Sequence, residues 1–239
     1  MKVIPLNFGE RTTNLKHIDC EIKRSSRKSL AIHVRHRKVE VRCPRWTSQR
    51  EILQFLQSNQ DWIEQKLREE AQRYRESLRI ENGRKIFYRA RERRIVFQEF
   101  PRQRVVVTRD EFIIQGPKLT QASARQQVEA FLLERAGRYL PDRARAVARY
   151  LRVSRRLKEV KLRKTKTKWG HCTSTGVVQF NWLIMLAPNS IIDYMIAHEV
   201  CHLVHMNHSA EFWELVESIC PDYEYYRDWL QQHEHRLWL

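Results

Sequence analysis

The sequence is poor in glycine and lacks the glycine-rich loops that bind phosphate groups. Its six glycines are scattered over 239 residues, which argues against a P-loop or a dinucleotide-binding fingerprint. The five cysteines form no CxxC pair, so the sequence indicates neither a disulfide framework nor a cysteine-ligated zinc site. The longest apolar stretch, WLIMLAP, is far too short to cross a bilayer. The first residues contain no apolar run typical of a signal peptide, and we therefore expect a soluble, cytoplasmic protein.

Positive charge is present in large excess. The net charge is +17 and the isoelectric point is near 10, which favours anionic partners such as nucleic acid, nucleotides, acidic peptides or an anionic membrane surface. A solvated basic surface without a dedicated ligand is the alternative. The hydrophobic content of 42% and the seven tryptophans are sufficient for a packed core.

The N-terminal half predicts two β-rich stretches with a helix between them. Residues 17–43 alternate between charged and apolar side chains, as in a half-exposed antiparallel sheet. Residues 48–77 have helical spacing, and Ser48 with Glu51 forms a capping-box pattern at the start. Residues 84–115 are again β-rich. We expect an antiparallel, β-rich N-terminal region over residues 1–118.

The C-terminal half predicts a second domain over residues 119–239. A long helical region comes first and is interrupted at Pro141. A basic strand ending in a Trp-Gly turn and a continuously apolar strand, VVQFNWLIMLAP, follow. Three helices complete the chain; Ser190 is the expected N-cap of the first, and Pro221 is expected in the first turn of the last. The fold class expected for the whole chain is α+β.

Four of the ten histidines lie within eleven positions, in the segment HEVCHLVHMNH. His198 and His202 form an HExxH motif, and residues four apart on a helix share one face, about 5–6 Å apart. Two imidazoles at that separation can bind one Zn²⁺ at about 2.0–2.1 Å. Glu199 lies about 100° around the helix, where its carboxylate can accept a proton from metal-bound water.

Two histidines are candidates for the third metal ligand. His205 shares the helix face of His198 and His202, but three ligands along one straight helix surround a tetrahedral metal poorly. His208 follows Asn207, a residue type that tolerates the left-handed conformation in which helices end. A chain reversal at Asn207 would return His208 to the metal. We therefore predict His208 as the third ligand and His205 as a supporting or surface residue.

The alternative is that these histidines are polar groups on a surface helix. The helix is apolar on nearly all sides and follows an apolar strand, so we expect it to be buried, and buried histidines need partners. Cys201 lies off the histidine stripe, on the side opposite Glu199, and is expected to fill space in the core.

Two longer segments carry a resemblance to a known family. WGHCTSTGVVQFNWLIMLAP, followed by MIAHEVCHLVHMNHSAEFW, resembles the YgjP-like metallopeptidase family, a zincin-type group related to the WLM and SprT-like metalloproteases. The resemblance is strongest over about 160–235 and looser towards the N-terminus. It implies zinc ligands at His198, His202 and His208, Glu199 as the catalytic base, and a zincin-like core with a short sheet behind the active-site helix. The implied activity is that of a zinc-dependent metallopeptidase acting on a peptide or protein.

A basic segment precedes this motif. Eight lysines and arginines fall between Arg155 and Lys168, and alternate residues of a strand share a face, so Lys161, Arg163 and either Lys166 or Lys168 could line one side of the cleft. Such a surface could hold nucleic acid beside a protease site. It could instead hold the phosphates of a nucleotide, in a metal-dependent phosphohydrolase of the pyrophosphatase type. A nucleic-acid-binding module with a structural metal site is a further alternative.

Some features are left open by the sequence. It does not give the oligomeric state. The residue that would stabilise an oxyanion is also left open among four candidates: Tyr223, Tyr225, His171 and Asn207.

Overall fold

The computed structural model describes residues 2–6, 18–35, 38–76, 78–165 and 167–239. The chain divides into two compact units, Met1–Glu76 and Ser77–Leu239, called here the N-terminal and C-terminal units. Within the described ranges, no helix combines the length and the apolar content that crossing a bilayer requires.

The N-terminal unit is a four-stranded sheet followed by two helices. Its elements are β1 (Lys2–Leu6), β2 (Ile18–Ser25), β3 (Ala31–Arg35), β4 (Lys38–Pro44), α1 (Gln49–Ser58) and α2 (Gln60–Glu76). The capping box predicted at Ser48 is confirmed, since the Ser48 hydroxyl accepts from the Glu51 amide and the Glu51 carboxylate accepts from the Ser48 amide. The single helix predicted over 48–77 is divided at Asn59, whose side-chain amide donates to the carbonyl of Phe55.

The sheets are mixed, so the prediction of an antiparallel N-terminal region is wrong. The order in the first sheet is β1-β2-β4-β3; β3 and β4 pair antiparallel, whereas β2 and β4 are parallel neighbours. In the β3–β4 hairpin, β3 lies at the edge of the sheet. Strand β4 therefore lies beside β2 and runs parallel to it. Strand β1 had not been predicted.

The same arrangement occurs in the C-terminal unit. Strands β5 (Lys85–Tyr88), β6 (Arg91–Glu99), β7 (Arg104–Val107) and β8 (Glu111–Gly116) form a sheet in the order β5-β6-β8-β7, again with one parallel pair, β6 and β8. Ile95 and Phe112 of this sheet share one hydrophobic core with the helix that follows it. The chain therefore divides after Glu76, earlier than the boundary predicted after residue 118.

A 30-residue helix, α3 (Gln121–Tyr150), spans this unit and contacts β7, β8 and β9. The interruption predicted at Pro141 is wrong, because the helix continues through it. A proline inside a helix costs about 3 kcal/mol. Burying a leucine contributes about 1.5–3 kcal/mol, and α3 buries Leu132 and Leu140 completely on one face. Burial of that face outweighs the cost of the proline.

The remaining elements comprise one buried helix and the strands and helices around it. They are β9 (Glu159–Arg163), β10 (Gly170–Cys172), β11 (Val177–Asn181), a short 3-10 helix (Trp182–Leu186), α4 (Asn189–Cys201), α5 (Ala210–Ile219), α6 (Tyr223–His233) and a final 3-10 turn (Glu234–Arg236). Helix α4 lies against β10 and β11 of a three-stranded sheet ordered β10-β11-β9. The described part of the chain is thus a mixed α/β structure with three small sheets.

Three local predictions in this region are wrong. The apolar strand predicted over VVQFNWLIMLAP ends at Asn181, whose side-chain oxygen accepts from the Leu183 amide and starts the 3-10 helix. Ser190 lies inside α4, for which Pro188 is the N-cap. Pro221 precedes α6, which begins at Tyr223.

Candidate metal centre

Three imidazole rings converge where α4 ends. His198 lies in the last turn of α4, His202 directly follows the helix, and His208 lies in the connection to α5. One ring nitrogen of each lies within 4.8 Å of the other two. The ring centroids are 5.0 Å apart for His198 and His202, 5.1 Å for His198 and His208, and 4.8 Å for His202 and His208.

The spacing of the nitrogens fits a tetrahedral metal. The Nε2 atoms of His198 and His208 are 3.2 Å apart. Two nitrogens bound tetrahedrally at 2.0–2.1 Å are separated by about 3.3 Å. Three imidazoles leave a fourth position for water or substrate, as in catalytic zinc sites. The donor set therefore fits Zn²⁺ or a neighbouring transition metal that imidazole ligands suit.

The orientation of His202 is fixed by the backbone. Its Nδ1 lies 3.0 Å from the carbonyl oxygen of His205 and donates to it, which leaves the Nε2 lone pair free for a metal. His205 thus supports the cluster through its main chain, while its imidazole is outside the cluster. The buried Nδ1 of His198, by contrast, has no hydrogen-bond partner among the described residues.

Burial keeps the two helix histidines neutral. Desolvation, with smaller contributions from His202 and His208, lowers the pKa of His198 to about 3. Desolvation also lowers the pKa of His202. Only a neutral imidazole offers a lone pair to a metal, so both side chains are in the form that metal binding requires.

The chain leaves α4 by a tight turn and not by a left-handed residue. The amides of Leu203 and Val204 donate to carbonyls three residues earlier, at 3.0 and 2.9 Å. Such bonds tighten the last turn and satisfy carbonyls that the helix leaves unpaired. Asn207 does not have a positive φ, so the left-handed pivot predicted there is wrong, although His208 reaches the cluster.

Helix α5 supports the cluster with two aromatic residues that sequence reasoning did not select. The Phe212 ring stacks on His202, with centroids 4.5 Å apart, and the Trp213 ring stacks on His208 at 5.5 Å. Both belong to the first turn of α5, immediately after the histidine-rich segment. The pattern SAEFW, with two aromatics one turn after His208, is the local feature that indicates this role.

Glu199 lies beside the cluster, buried against β10. Its side chain contacts the backbone of Gly170 so closely that a Cβ atom at Gly170 would lie 2.5 Å from Cδ of Glu199. Desolvation raises the pKa of Glu199 to about 8, and the positive charge of Lys168 opposes that rise. Gly170 was assigned only a packing or turn role by its sequence, since the contact joins residues distant along the chain.

The cluster opens into a pocket of about 340 Å³. Its lining comprises the three histidines and Glu199 together with Lys168, Gly170, His171, Cys172 and Met206. Burial, together with the charge of Glu199, raises the pKa of the Cys172 thiol to about 11. That thiol therefore stays protonated and is not a candidate nucleophile.

Most of the basic residues that were predicted to line one side of the cleft do not line the metal pocket. Of the basic residues expected along the cleft, only Lys168 lines the metal pocket, and Lys166 lies outside the described residues. Lys161 and Arg163 belong to β9, the strand farthest from β10 in the sheet, and Lys161 pairs with Glu159 at 3.1 Å. Of the four oxyanion candidates, only His171 lines the pocket.

A cluster of three histidines with a buried carboxylate beside it, open to a pocket, has the composition of a metal-dependent hydrolase site. The family model described as "YgjP-like, metallopeptidase domain" matches residues 28–233. The chain therefore belongs to the YgjP-like family, as its sequence predicted, and at the family level it is a metal-dependent peptidase.

Two further comparisons add no argument about function. A crystal structure of the metallopeptidase zymogen of Pyrococcus abyssi abylysin is similar over 42% of this chain and 99% of that one, with 21% sequence identity and a TM-score of 0.37. No curated protein matches the sequence.

Proposed function

We propose that the protein is a zincin-type, zinc-dependent metallopeptidase in which His198, His202 and His208 hold the metal and Glu199 is the general base. One observation carries this proposal. Three imidazoles converge within 4.8 Å of one another beside the buried side chain of Glu199, the Nε2 atoms of His198 and His208 lie at a tetrahedral spacing of 3.2 Å, and all four side chains line one open pocket.

In the proposed reaction, the metal and the side chains of the protein would have separate roles. Zinc, when bound, would polarise the scissile carbonyl and lower the pKa of water, and its positive charge would also lower the pKa of Glu199 from the metal-free value of about 8, so that the carboxylate is ionised. A carboxylate oxygen of Glu199 accepts a proton as the water oxygen bonds to the carbonyl carbon. Glu199 then donates this proton to the leaving amine nitrogen when the carbon–nitrogen bond breaks. His171, which lines the pocket, would donate a hydrogen bond to the carbonyl oxygen as charge develops there.

The composition of the site favours catalysis over a structural metal site. Structural zinc sites usually have four protein ligands, whereas three histidines converge here. A structural site also has no use for a buried carboxylate, which is costly to keep in an apolar environment. Glu199 is 5% exposed and faces the pocket.

Metal binding is tested by measuring zinc in the purified protein. We expect close to one zinc ion per wild-type chain and a large loss in His202→Ala and His208→Ala. His205→Ala is the matched control: it removes an imidazole from the same segment but keeps the carbonyl that holds His202. If His205→Ala loses zinc while His208→Ala keeps it, His205 is the third ligand and the assignment of His208 is wrong.

The bond that is cleaved is tested with three substrates in parallel: casein, nucleoside triphosphates and single-stranded DNA. Casein cleavage should fall about 10²–10⁴-fold in Glu199→Gln. It should be unchanged in Glu217→Gln, which alters an exposed carboxylate of α5. If Glu199→Gln loses only triphosphate hydrolysis, the enzyme is a phosphohydrolase and the peptidase proposal is wrong. Retention of every activity would remove Glu199 from the mechanism.

A further inference from the structure

A second pocket, of about 500 Å³, adjoins the metal pocket. Three chain segments form its walls: the loop before β9, the turn between β10 and β11, and the segment after His202. The residues that line this Arg156 pocket are Arg155, Arg156, Lys158, Thr173, Ser174, Thr175, Gly176, Leu203, Val204 and Met206.

The charge in the Arg156 pocket is of one sign. Arg155, Arg156 and Lys158 contribute three cations, and no acidic residue belongs to the lining. None of the three forms an ion pair within 4.0 Å with a residue that the structure describes. Thr173, Ser174 and Thr175 of the β10–β11 turn add hydroxyl groups to the same lining, and the hydroxyls of Thr173 and Thr175 are hydrogen-bonded to each other at 2.8 Å. Cations and hydroxyls in one concavity are suited to an anionic group with several acceptor oxygens.

The walls are fixed to one another by hydrogen bonds to backbone carbonyls, one from a main-chain amide and one from a side chain. The Lys158 amide donates to the Gly176 carbonyl at 2.8 Å, joining the loop to the turn. Arg156 Nη1 donates to the carbonyl of Leu203 at 2.9 Å, joining the loop to the segment after α4. Gly176 has a φ of 88°, and an added Cβ would overlap the carbonyl of Arg156. The pocket therefore needs little rearrangement to receive a ligand.

The Arg156 pocket lies next to the metal pocket. Met206 lines both of them. Thr173 directly follows Cys172 of the metal pocket, and Leu203, whose carbonyl anchors Arg156, directly follows His202. An extended chain bound at the metal would thus have its neighbouring residues near the three cations.

We propose that the Arg156 pocket is a substrate subsite that binds a carboxylate of the polypeptide being cleaved. This inference rests on the proposed peptidase function and specifies which substrates the peptidase would prefer. The carboxylate can come from an acidic side chain near the scissile bond or from the end of the substrate chain, and both offer the same two oxygens.

A carboxylate fits this pocket better than a nucleic acid does. Proteins that bind single strands combine a basic groove with aromatic side chains on which bases stack. No aromatic residue belongs to the lining of the Arg156 pocket. Three cations confined to one concavity match a single anionic group and do not follow a phosphate backbone.

The test uses the zinc-loaded full chain and a set of peptides with uncharged side chains, apart from one glutamate whose position is moved along the sequence. Each glutamate peptide is amidated at its C-terminus and paired with its glutamine counterpart; a third set has glutamine and a free C-terminus. The variant is Arg155→Gln/Lys158→Gln, which leaves the bond between Arg156 and Leu203 intact. The control, Arg109→Gln/Lys118→Gln, removes the same charge from exposed positions outside the lining.

We expect one glutamate position, or the free C-terminus, to raise kcat/KM about tenfold over the matched peptide. The preference should fall to about twofold or less in the pocket variant and persist in the control, with unchanged zinc content and thermal unfolding. Equal cleavage of glutamate and glutamine peptides, whatever the C-terminus, would overturn the subsite while leaving the peptidase function intact.

A binding measurement separates the two proposals if no peptide is cleaved. Fluorescence anisotropy with the same labelled peptides should show tighter binding of the carboxylate form, lost in the pocket variant; this would retain the subsite although the peptidase proposal had failed. If no carboxylate peptide binds preferentially while a single-stranded oligonucleotide binds and loses affinity in the pocket variant, the occupant is nucleic acid and the inference is wrong.

Discussion

The contact between Gly170 and Glu199 makes Gly170→Ala an informative perturbation. A methyl group at Gly170 would lie 2.5 Å from Cδ of Glu199, whereas ordinary van der Waals contact begins at 3.4 Å. Oε1 and Cγ of Glu199 would lie closer still, so Glu199 or strand β10 must move by about 1 Å, and a 1 Å misplacement in an active site can cost about 100-fold in rate. We expect kcat for casein or a peptide to fall about 100-fold.

Zinc content should be retained in Gly170→Ala, because the three atoms nearest to the added methyl group all belong to Glu199, the proposed base, and not to the histidines. The free energy of unfolding should fall by about 1–3 kcal/mol, as in other overpacked sites. This combination, an inactive enzyme that holds its metal and remains folded, distinguishes displacement of Glu199 from collapse of the site. Activity, zinc content and urea denaturation measured on one preparation provide all three values.

Gly137→Ala is the control for Gly170→Ala. Gly137 lies inside α3, and the nearest atom to an added Cβ is Leu162 Cδ1 at 3.9 Å. Alanine should leave activity unchanged and increase the free energy of unfolding by about 0.4–1 kcal/mol. A Gly170→Ala enzyme with wild-type kcat would refute the reasoning, since it would show that the carboxylate of Glu199 need not occupy its present position.

Three further predictions concern the metal, the wall of the Arg156 pocket and the ring that stacks on His202. Zinc at 100 times its dissociation constant should raise the free energy of unfolding by about 2.7 kcal/mol, and chelation should reverse the shift; the same shift in His208→Ala would exclude that residue as a ligand. Gly176→Ala should destabilise the chain by about 1–3 kcal/mol, because φ is 88° and the methyl group meets the Arg156 carbonyl; an unchanged urea midpoint would contradict this. Phe212→Ala should cost about 3–5 kcal/mol and weaken zinc binding, because the fully buried ring stacks on His202; unchanged zinc affinity would limit Phe212 to a packing role.

The histidine cluster could be predicted because its information is local. His198 and His202 are one helical turn apart, and this spacing alone brings two imidazoles to one side of α4. The route to His208 could not be predicted correctly, because the end of α4 depends on hydrogen bonds that the sequence pattern does not contain. Asn207 was a reasonable place for a reversal, but the bond between His202 Nδ1 and the His205 carbonyl accompanies a turn that begins several residues earlier.

The fold was less predictable where strand order matters. Alternation in residues 17–43 indicates strands but does not say which strands are neighbours. The parallel pairing of β2 with β4, and of β6 with β8, follows from each hairpin placing its first strand at the edge. Pro141 illustrates a related limit: the local preference is to end a helix, and only the buried face of α3 shows why the helix continues.

The proposed chemistry and the proposed selectivity of this protein belong to different parts of the chain. The proposed ligands and base lie between His198 and His208, whereas the cations of the Arg156 pocket lie in the loop before β9. The two regions meet through Met206 and through the bond from Arg156 to Leu203. Substitutions of exposed cations in that loop should therefore change which substrates are cleaved without changing metal affinity. Substitutions at the histidines should abolish cleavage of every substrate alike, because all of them depend on the same metal.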